Sequence, residues 1–331
     1  MKYSYIKTLN TKAQEFVELY KSLKSHNLEL DDYNQEYLSK YLEKVEYNTH
    51  LACRLIEGTG SPDSYERIID LGGGVGFNSA FFAFVGYKNV YCVDIDQIST
   101  RDASTINQQL GVGNIEYVTS GYEIFETLDL SNTIICSRDV IEHIYDLKSF
   151  FKVTSKAKTN SHNTAAVHNS FFRKKEFNNV HYSAEFVGNK NKSIKSRDTR
   201  KSYYAMRQNF TLKRFPKMSK EEVNNIAKIS RGLIEKDIET LVEQGTYPKH
   251  HFETINTNTC NPQTGNWAER VLSFKQYNLF GKESKLNTSY LLNGYNTFNA
   301  KGLKKLALIS INSILSLAKW SRLCSSFTIR Y

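Results

Sequence analysis

The chain has 331 residues, enough for one large domain or a core domain with sizeable additions, and its 40% apolar content excludes wholesale disorder. With 44 Lys and Arg against 34 Asp and Glu it carries a formal charge of +10, which favours an anionic partner: nucleic acid, an acidic or phosphorylated substrate, or a membrane surface. Its five cysteines (Cys53, Cys92, Cys136, Cys260, Cys324) are scattered, with no Cys-x-x-Cys pair; this excludes a zinc knuckle or disulfide framework and fits a reducing compartment.

The first residues, MKYSYIKTLNTK, lack the apolar stretch of a signal peptide, and no apolar run reaches the length of a membrane span. A cytoplasmic protein is expected. Residues 1–60 read as a helical layer: in Ala13–Tyr20, and again at Tyr37, Leu38, Tyr41, Leu42, Val45, Leu51 and Leu55, apolar residues recur at helical spacing. The Gly58-Thr59-Gly60-Ser61-Pro62 cluster ends it.

From Arg67 the pattern alternates. Short apolar runs at Arg67–Leu71, Val90–Val93, Ile115–Val118, Thr133–Cys136 and Thr164–Val167 read as strands, separated by helical segments. Such alternation implies a mostly parallel, doubly wound, Rossmann-like α/β sheet with right-handed crossovers, over residues 61–170. Residues 171–265 form a basic insertion after the fifth strand, with 18 Lys/Arg against 9 Asp/Glu between 171 and 250. Within it Ser219–Val242 reads as a helix pair, capped by Ser219 with Glu222 three residues on. In the last part, residues 266–331, Trp267–Phe298 can return one helix and one strand to the sheet. There follows an amphipathic tail, Lys301–Trp320, flanked by basic residues.

The turn Asp70-Leu71-Gly72-Gly73-Gly74-Val75-Gly76 follows a strand and precedes a helix, so its backbone can pass close to a ligand. Phe77 occupies the position where the dinucleotide fingerprint requires its third glycine. The spacing D-x-G-x-G-x-G instead resembles motif I of class I S-adenosylmethionine (SAM)-dependent methyltransferases. Asp94, in Val93-Asp94-Ile95-Asp96, stands where an acid at a second strand's end accepts from ribose hydroxyls. The resemblance implies that Asp70 stands near the methionine amino group and that Gly72, Gly73, Gly74 and Gly76 wrap the ligand. It also implies that Asp94 holds the ribose, that Ile95 lies on the adenine, and that Gly121, Tyr122 and Ser137 complete the contacts.

Asp139-Val140-Ile141-Glu142-His143-Ile144 follows the fourth strand and resembles the segment that faces the reacting methyl group in many small-substrate methyltransferases. Three readings stay open. His143 or Asp139 acts as general base on an acceptor hydroxyl. Alternatively Asp139, Glu142 and His143, with His168 or His181, hold a divalent ion such as Mg, as the resemblance to ubiquinone-type and small-RNA 2′-O-methyltransferases implies. Or Glu142 and His143 brace the start of a helix.

Asn261-Pro262-Gln263-Thr264-Gly265-Asn266-Trp267-Ala268-Glu269-Arg270 resembles a stretch of methyltransferases encoded among bacterial polysaccharide genes. It implies O-methylation of a sugar, as a polysaccharide, nucleotide sugar or lipid-linked glycan, with Trp267 either stacking on the sugar or anchoring the last helix. The basic insertion, with Tyr203, Tyr204, Phe210 and Phe215 among its cations, keeps RNA ribose 2′-O-methylation as an alternative. A non-catalytic SAM-binding partner is a third. The tail is read two ways, as peripheral contact with the inner membrane face or as a helix packed on the protein or in a dimer.

Overall fold

The computed structural model describes residues 2–24, 28–164, 170–188, 201–247, 256–318, Cys324 and 326–331. Three helices open it: α1 (Lys2–Lys21), α2 (Asp32–Glu43) and α3 (Val45–Ile56). The long apolar pattern through Tyr37–Leu55 is broken at Lys44, which leaves helical geometry between α2 and α3. Then follow β1 (Arg67–Leu71), α4 (Phe77–Val85), β2 (Val90–Asp94), α5 (Gln97–Gln109), β3 (Ile115–Thr119), β4 (Thr133–Arg138), α6 (Leu147–Thr154) and β5 (Thr159–Thr164). The insertion supplies α7 (Ser170–Tyr182), α8 (Tyr203–Arg214), α9 (Lys220–Ile229) and α10 (Glu235–Gln244). The chain closes with α11 (Phe274–Glu283), β6 (Ser289–Asn293), α12 (Gly302–Ala318) and β7 (Ser326–Arg330).

The seven strands lie in the order β3-β2-β1-β4-β5-β7-β6. β1 to β5 are parallel, and β7 runs antiparallel to both neighbours. This is the expected Rossmann-like α/β sheet. The order reverses between β1 and β4, so a crevice opens outside their carboxyl ends, where open α/β sheets bind ligands.

The two faces of the sheet carry separate apolar cores. On one, Phe16 and Tyr20 of α1 meet Phe77 and Phe81 of α4, with ring centroids 4.7–5.5 Å apart. On the other, Phe150 and Phe151 of α6 pack with Tyr277 and Phe280 of α11 against Phe327 and Ile329. Ser219 and Glu222 make the expected reciprocal cap of α9. All five cysteines are free.

Two strands depart from expectation. The fifth was placed on the apolar run Thr164–Val167; the structure pairs the polar run Thr159–Thr164 with β4 and β7. A strand between two neighbours satisfies its backbone on both edges, and the buried Asn160 amide nitrogen and His162 ring also find hydrogen-bond partners. Asn160 Nδ2 donates to Thr154 O at 2.9 Å, and His162 bonds Ser137 and Tyr331 on either side of its ring. β7 was not expected at all, yet it sits between β5 and β6.

Two of the insertion's aromatics pack against its own helices. Tyr203 is buried, and Phe210 packs on Leu233, Ile238 and Leu241. Arg207 and Glu185 form a fully buried ion pair that joins α8 to the end of α7, and Thr259 Oγ1 donates to the same carboxylate at 2.6 Å.

Candidate active site

The glycine turn after β1 is shaped by close approach. Gly72 has φ +69, and a Cβ there would strike the Val140 side chain from the loop after β4. Gly74, at φ +52, has nothing within 4 Å of a notional Cβ, so this glycine faces open space at the crevice. Gly73 is closed off by Cys92 Sγ, and Gly76, at φ +74, by Asn107 and Ala103.

Asp94 fixes the rim of this turn. One of its oxygens accepts from Gly74 N at 2.9 Å and the other from Asp96 N at 3.0 Å. Ile95 beside it is 74% exposed, a large apolar side chain with no cover. Asp70 is fully buried: Ser79 Oγ donates to it at 2.7 Å and Asn78 Nδ2 at 3.4 Å. Burial pushes its carboxyl up to about 6, against the pull of those two bonds. Gly121 and Tyr122 stand past the end of β3, and the Tyr122 ring meets Phe150 edge-on at 5.5 Å. Ser137, expected among the cofactor contacts, is instead sealed in the sheet with its hydroxyl bonded to His162 Nδ1 at 2.8 Å.

Arg138 carried no motif signal, yet it stands at the crevice end of β4. Its Nη2 donates to Asn48 at 2.8 Å, and its guanidinium lies over Tyr41 at 5.3 Å. Nε is 3.6 Å from Asp139 Oδ2, and the buried Nη1 has no hydrogen-bond partner in the protein.

The Asp139–His143 loop and the Asn261–Arg270 stretch, far apart in sequence, form one unit. A tight hairpin holds the second: Cys260 bridges Trp267, Asn261 N donates to Asn266 O at 2.9 Å and Gly265 N to Asn261 O at 2.8 Å. Gly265 has φ +75, and a Cβ there would lie 2.8 Å from Tyr145 Cβ. Trp267 is only 5% exposed, covered by Tyr145, stacked 6.0 Å away, and by Arg270, 4.3 Å over its ring. It therefore anchors the hairpin and does not offer a face to a sugar.

His143 Nδ1 donates to the Trp267 carbonyl at 2.7 Å. A carbonyl only accepts, so the hydrogen sits on Nδ1 and Nε2 of the neutral ring keeps its lone pair. One ligand-type atom each from Glu142, His143 and Glu269 lies within 4.8 Å of the others. This trio replaces the expected metal set. Asp139 is exposed at φ +53, pairs with Arg138 and is not in the group; His168 lies outside the described residues. His181 is not a ligand either, for its Nε2 donates to the Glu269 carbonyl at 3.0 Å and its Nδ1 bonds Thr257. Glu269 has φ +53, a costly conformation for a non-glycine residue, and it is held by that contact. Its place beside His143 follows only from the hairpin's docking, so sequence spacing gave no cue.

Residues 69–157 match the family model described as a methyltransferase domain, about a quarter of the chain. No curated protein matches. Among solved structures, the YcgJ protein from Bacillus subtilis is 13% identical, with 85% of this chain and 97% of that one covered at a TM-score of 0.41. A putative S-adenosylmethionine-dependent methyltransferase from Listeria monocytogenes is 10% identical, covering 87% and 98% at 0.41. A SAM-dependent methyltransferase from Aquifex aeolicus is 18% identical, covering 39% and 68% at 0.32. The glycine turn and its acid thus lie within the stretch that matches a methyltransferase domain, set in a mixed seven-stranded, Rossmann-like α/β sheet.

Proposed function

We infer that this protein transfers the methyl group of SAM to a hydroxyl oxygen of a sugar-bearing acceptor. The observation that carries the transfer chemistry is the placement of His143, with its lone pair on Nε2, on the loop that faces the glycine turn across the β1–β4 crevice.

The residues fit the cofactor. Gly74 leaves room for it, Asp94 stands at the rim for ribose hydroxyls, and exposed Ile95 offers an apolar floor for an adenine. Asp70 lies toward the amino-acid end, and the unbonded Nη1 of Arg138 suits a carboxylate there. When bound, SAM supplies an electrophilic methyl on a sulfonium. His143 Nε2 accepts the proton of the attacking hydroxyl, and the Trp267 carbonyl steadies the resulting imidazolium through Nδ1. Glu142, buried beside it, favours that cation electrostatically.

The sugar acceptor is supported by the resemblance of Asn261–Arg270 to methyltransferases of polysaccharide genes, and by the docking of this stretch on His143. RNA as acceptor keeps the insertion's charge in its favour, while Tyr203 is buried and Phe210 is half-buried against Leu233, Ile238 and Leu241. A non-catalytic role leaves the ordered His143 tautomer without a use.

A second reading has its own observation: the Glu142–His143–Glu269 trio suits a divalent ion that would lower the pKa of the acceptor hydroxyl. Calorimetry with SAM and its demethylated product tests the core, and absence of binding to both sinks it. Labelled-methyl transfer into crude glycolipid, nucleotide sugars and total RNA tests the acceptor; incorporation into RNA alone overturns the sugar. Turnover unchanged by EDTA removes the metal.

A further inference from the structure

The sheet fixes where α12 sits. β6 is antiparallel to β7, and β7 to β5, so β6 runs in the same direction as β5 and ends at the same edge. Asn293 at that end pairs with Ser326, and Thr164 at the end of β5 pairs with Phe327. The segment from Gly294 to β7, α12 included, therefore joins strands at the edge that also carries the glycine turn and the His143 loop. Asn312 ties it down, its Oδ1 accepting from Tyr295 N at 2.7 Å and its Nδ2 donating to Tyr295 O at 2.9 Å.

α12 shows the protein one narrow side and the solvent an apolar one. Leu308, Asn312 and Leu315 are its covered positions. At 3.6 residues per turn, Leu303, Leu306, Ile311, Ile314 and Leu317 fall within an arc of about 140° on the far side. Leu303 and Leu317 are each 86% exposed, and the other three are exposed as well. Lys304 borders the arc, and Lys301 and Lys305 flank the first turn, all exposed. Residues 301–331 contain six Lys and Arg and no Asp or Glu. Among the described residues no helix is long and apolar enough to cross a membrane.

We propose that α12 is an interfacial docking helix that seats the protein on an anionic lipid bilayer, with the acceptor crevice at the same edge as the lipid. An outward apolar row bordered by Lys304, with Lys301 and Lys305 at the helix's N-terminal end, matches such a surface: the leucines enter the acyl boundary while lysine stems reach the headgroups. The charge decides against a second copy of the chain as occupant. A helix whose only charged side chains are lysines does not complement a partner that itself carries +10, whereas anionic lipids attract each lysine. The docking surface stands apart from the methyl-transfer reading; that the acceptor is membrane-borne rests on it.

The test is co-sedimentation of the full chain with phosphatidylglycerol–phosphatidylcholine vesicles and with pure phosphatidylcholine, alongside the double variant Leu306→Glu/Leu317→Glu. Both sites are exposed, so the variant keeps its circular dichroism and its SAM titration. The wild type binds the anionic vesicles, less tightly as salt rises, and the variant binds on the order of a hundredfold more weakly. Wild type left in the supernatant with anionic vesicles, or equal sedimentation of both proteins, overturns the proposal. So does a wild-type dimer in velocity sedimentation that the variant loses, which makes a second copy the occupant. Failure of SAM binding with vesicle binding intact removes the methyl-transfer reading and leaves the docking surface standing.

Discussion

His143 donates its Nδ1 hydrogen to the carbonyl of Trp267 at 2.7 Å, and Trp267 N donates to the carbonyl of His143 at 3.2 Å. This double tie couples a loop after β4 to a hairpin more than a hundred residues downstream. It also sets the tautomer of His143.

His143→Gln removes the proton acceptor and keeps a polar side chain of similar reach. The expected result is a fall in kcat of roughly a hundred- to ten-thousandfold, with the dissociation constant for SAM unchanged. Calorimetry beside a methyl-transfer assay separates the two, and full turnover in the variant excludes His143 as base.

Gly265 permits the hairpin to lie on Tyr145. Gly265→Ala puts a Cβ 2.8 Å from Tyr145 Cβ and strains a backbone at φ +75. A stability loss of about 1–3 kcal/mol in urea denaturation is expected, with a drop in kcat as His143 loses its tie. A variant as active as wild type would show that the hairpin does not position the base.

Gly74 is the turn glycine whose side-chain direction opens on the crevice. Gly74→Asp should abolish SAM binding while the near-UV spectrum stays native. Gly72→Ala, facing Val140, should instead lower the melting temperature. Equal effects from both would place the cofactor elsewhere.

His162 makes the fold acid-sensitive. Burial lowers its pKa to about 3 from the usual 6.5, so between those values the unfolded chain binds more protons than the native one. Stability is therefore lost as pH falls through this window, by about 2 kcal/mol at about pH 5. Asp70 acts oppositely: its raised pKa of about 6 means that ionising it as pH rises costs stability. His162→Gln should flatten the fall in melting temperature between about pH 7 and pH 5. An unchanged slope would assign the acid sensitivity to other groups.

Much of the β1–β4 half was legible because its signals are local. The turn Asp70–Gly76 requires positive φ at glycines, the acid at Asp94 terminates a strand, and apolar runs mark β1 to β4. The fifth strand was misplaced because burial of Asn160, Ser161 and His162 is decided by neighbours on both edges, not by their own polarity. β7 was missed because five residues acquire strand character only between β5 and β6. Ser137 looked like a ligand contact until His162 claimed its hydroxyl.

The sequence by itself determined the glycine turn and its acid, since glycine spacing and a strand-end acid are short-range properties of the backbone. Only the tertiary structure decided what surrounds the His143 loop. Glu142 and His143 meet Glu269, and Trp267 turns inward under Tyr145 and Arg270, through a docking that no local pattern encodes. The same holds for α12: the apolar residues were visible in the chain, but which of them face outward depends on how Asn312 and Leu315 fasten the helix to the sheet edge.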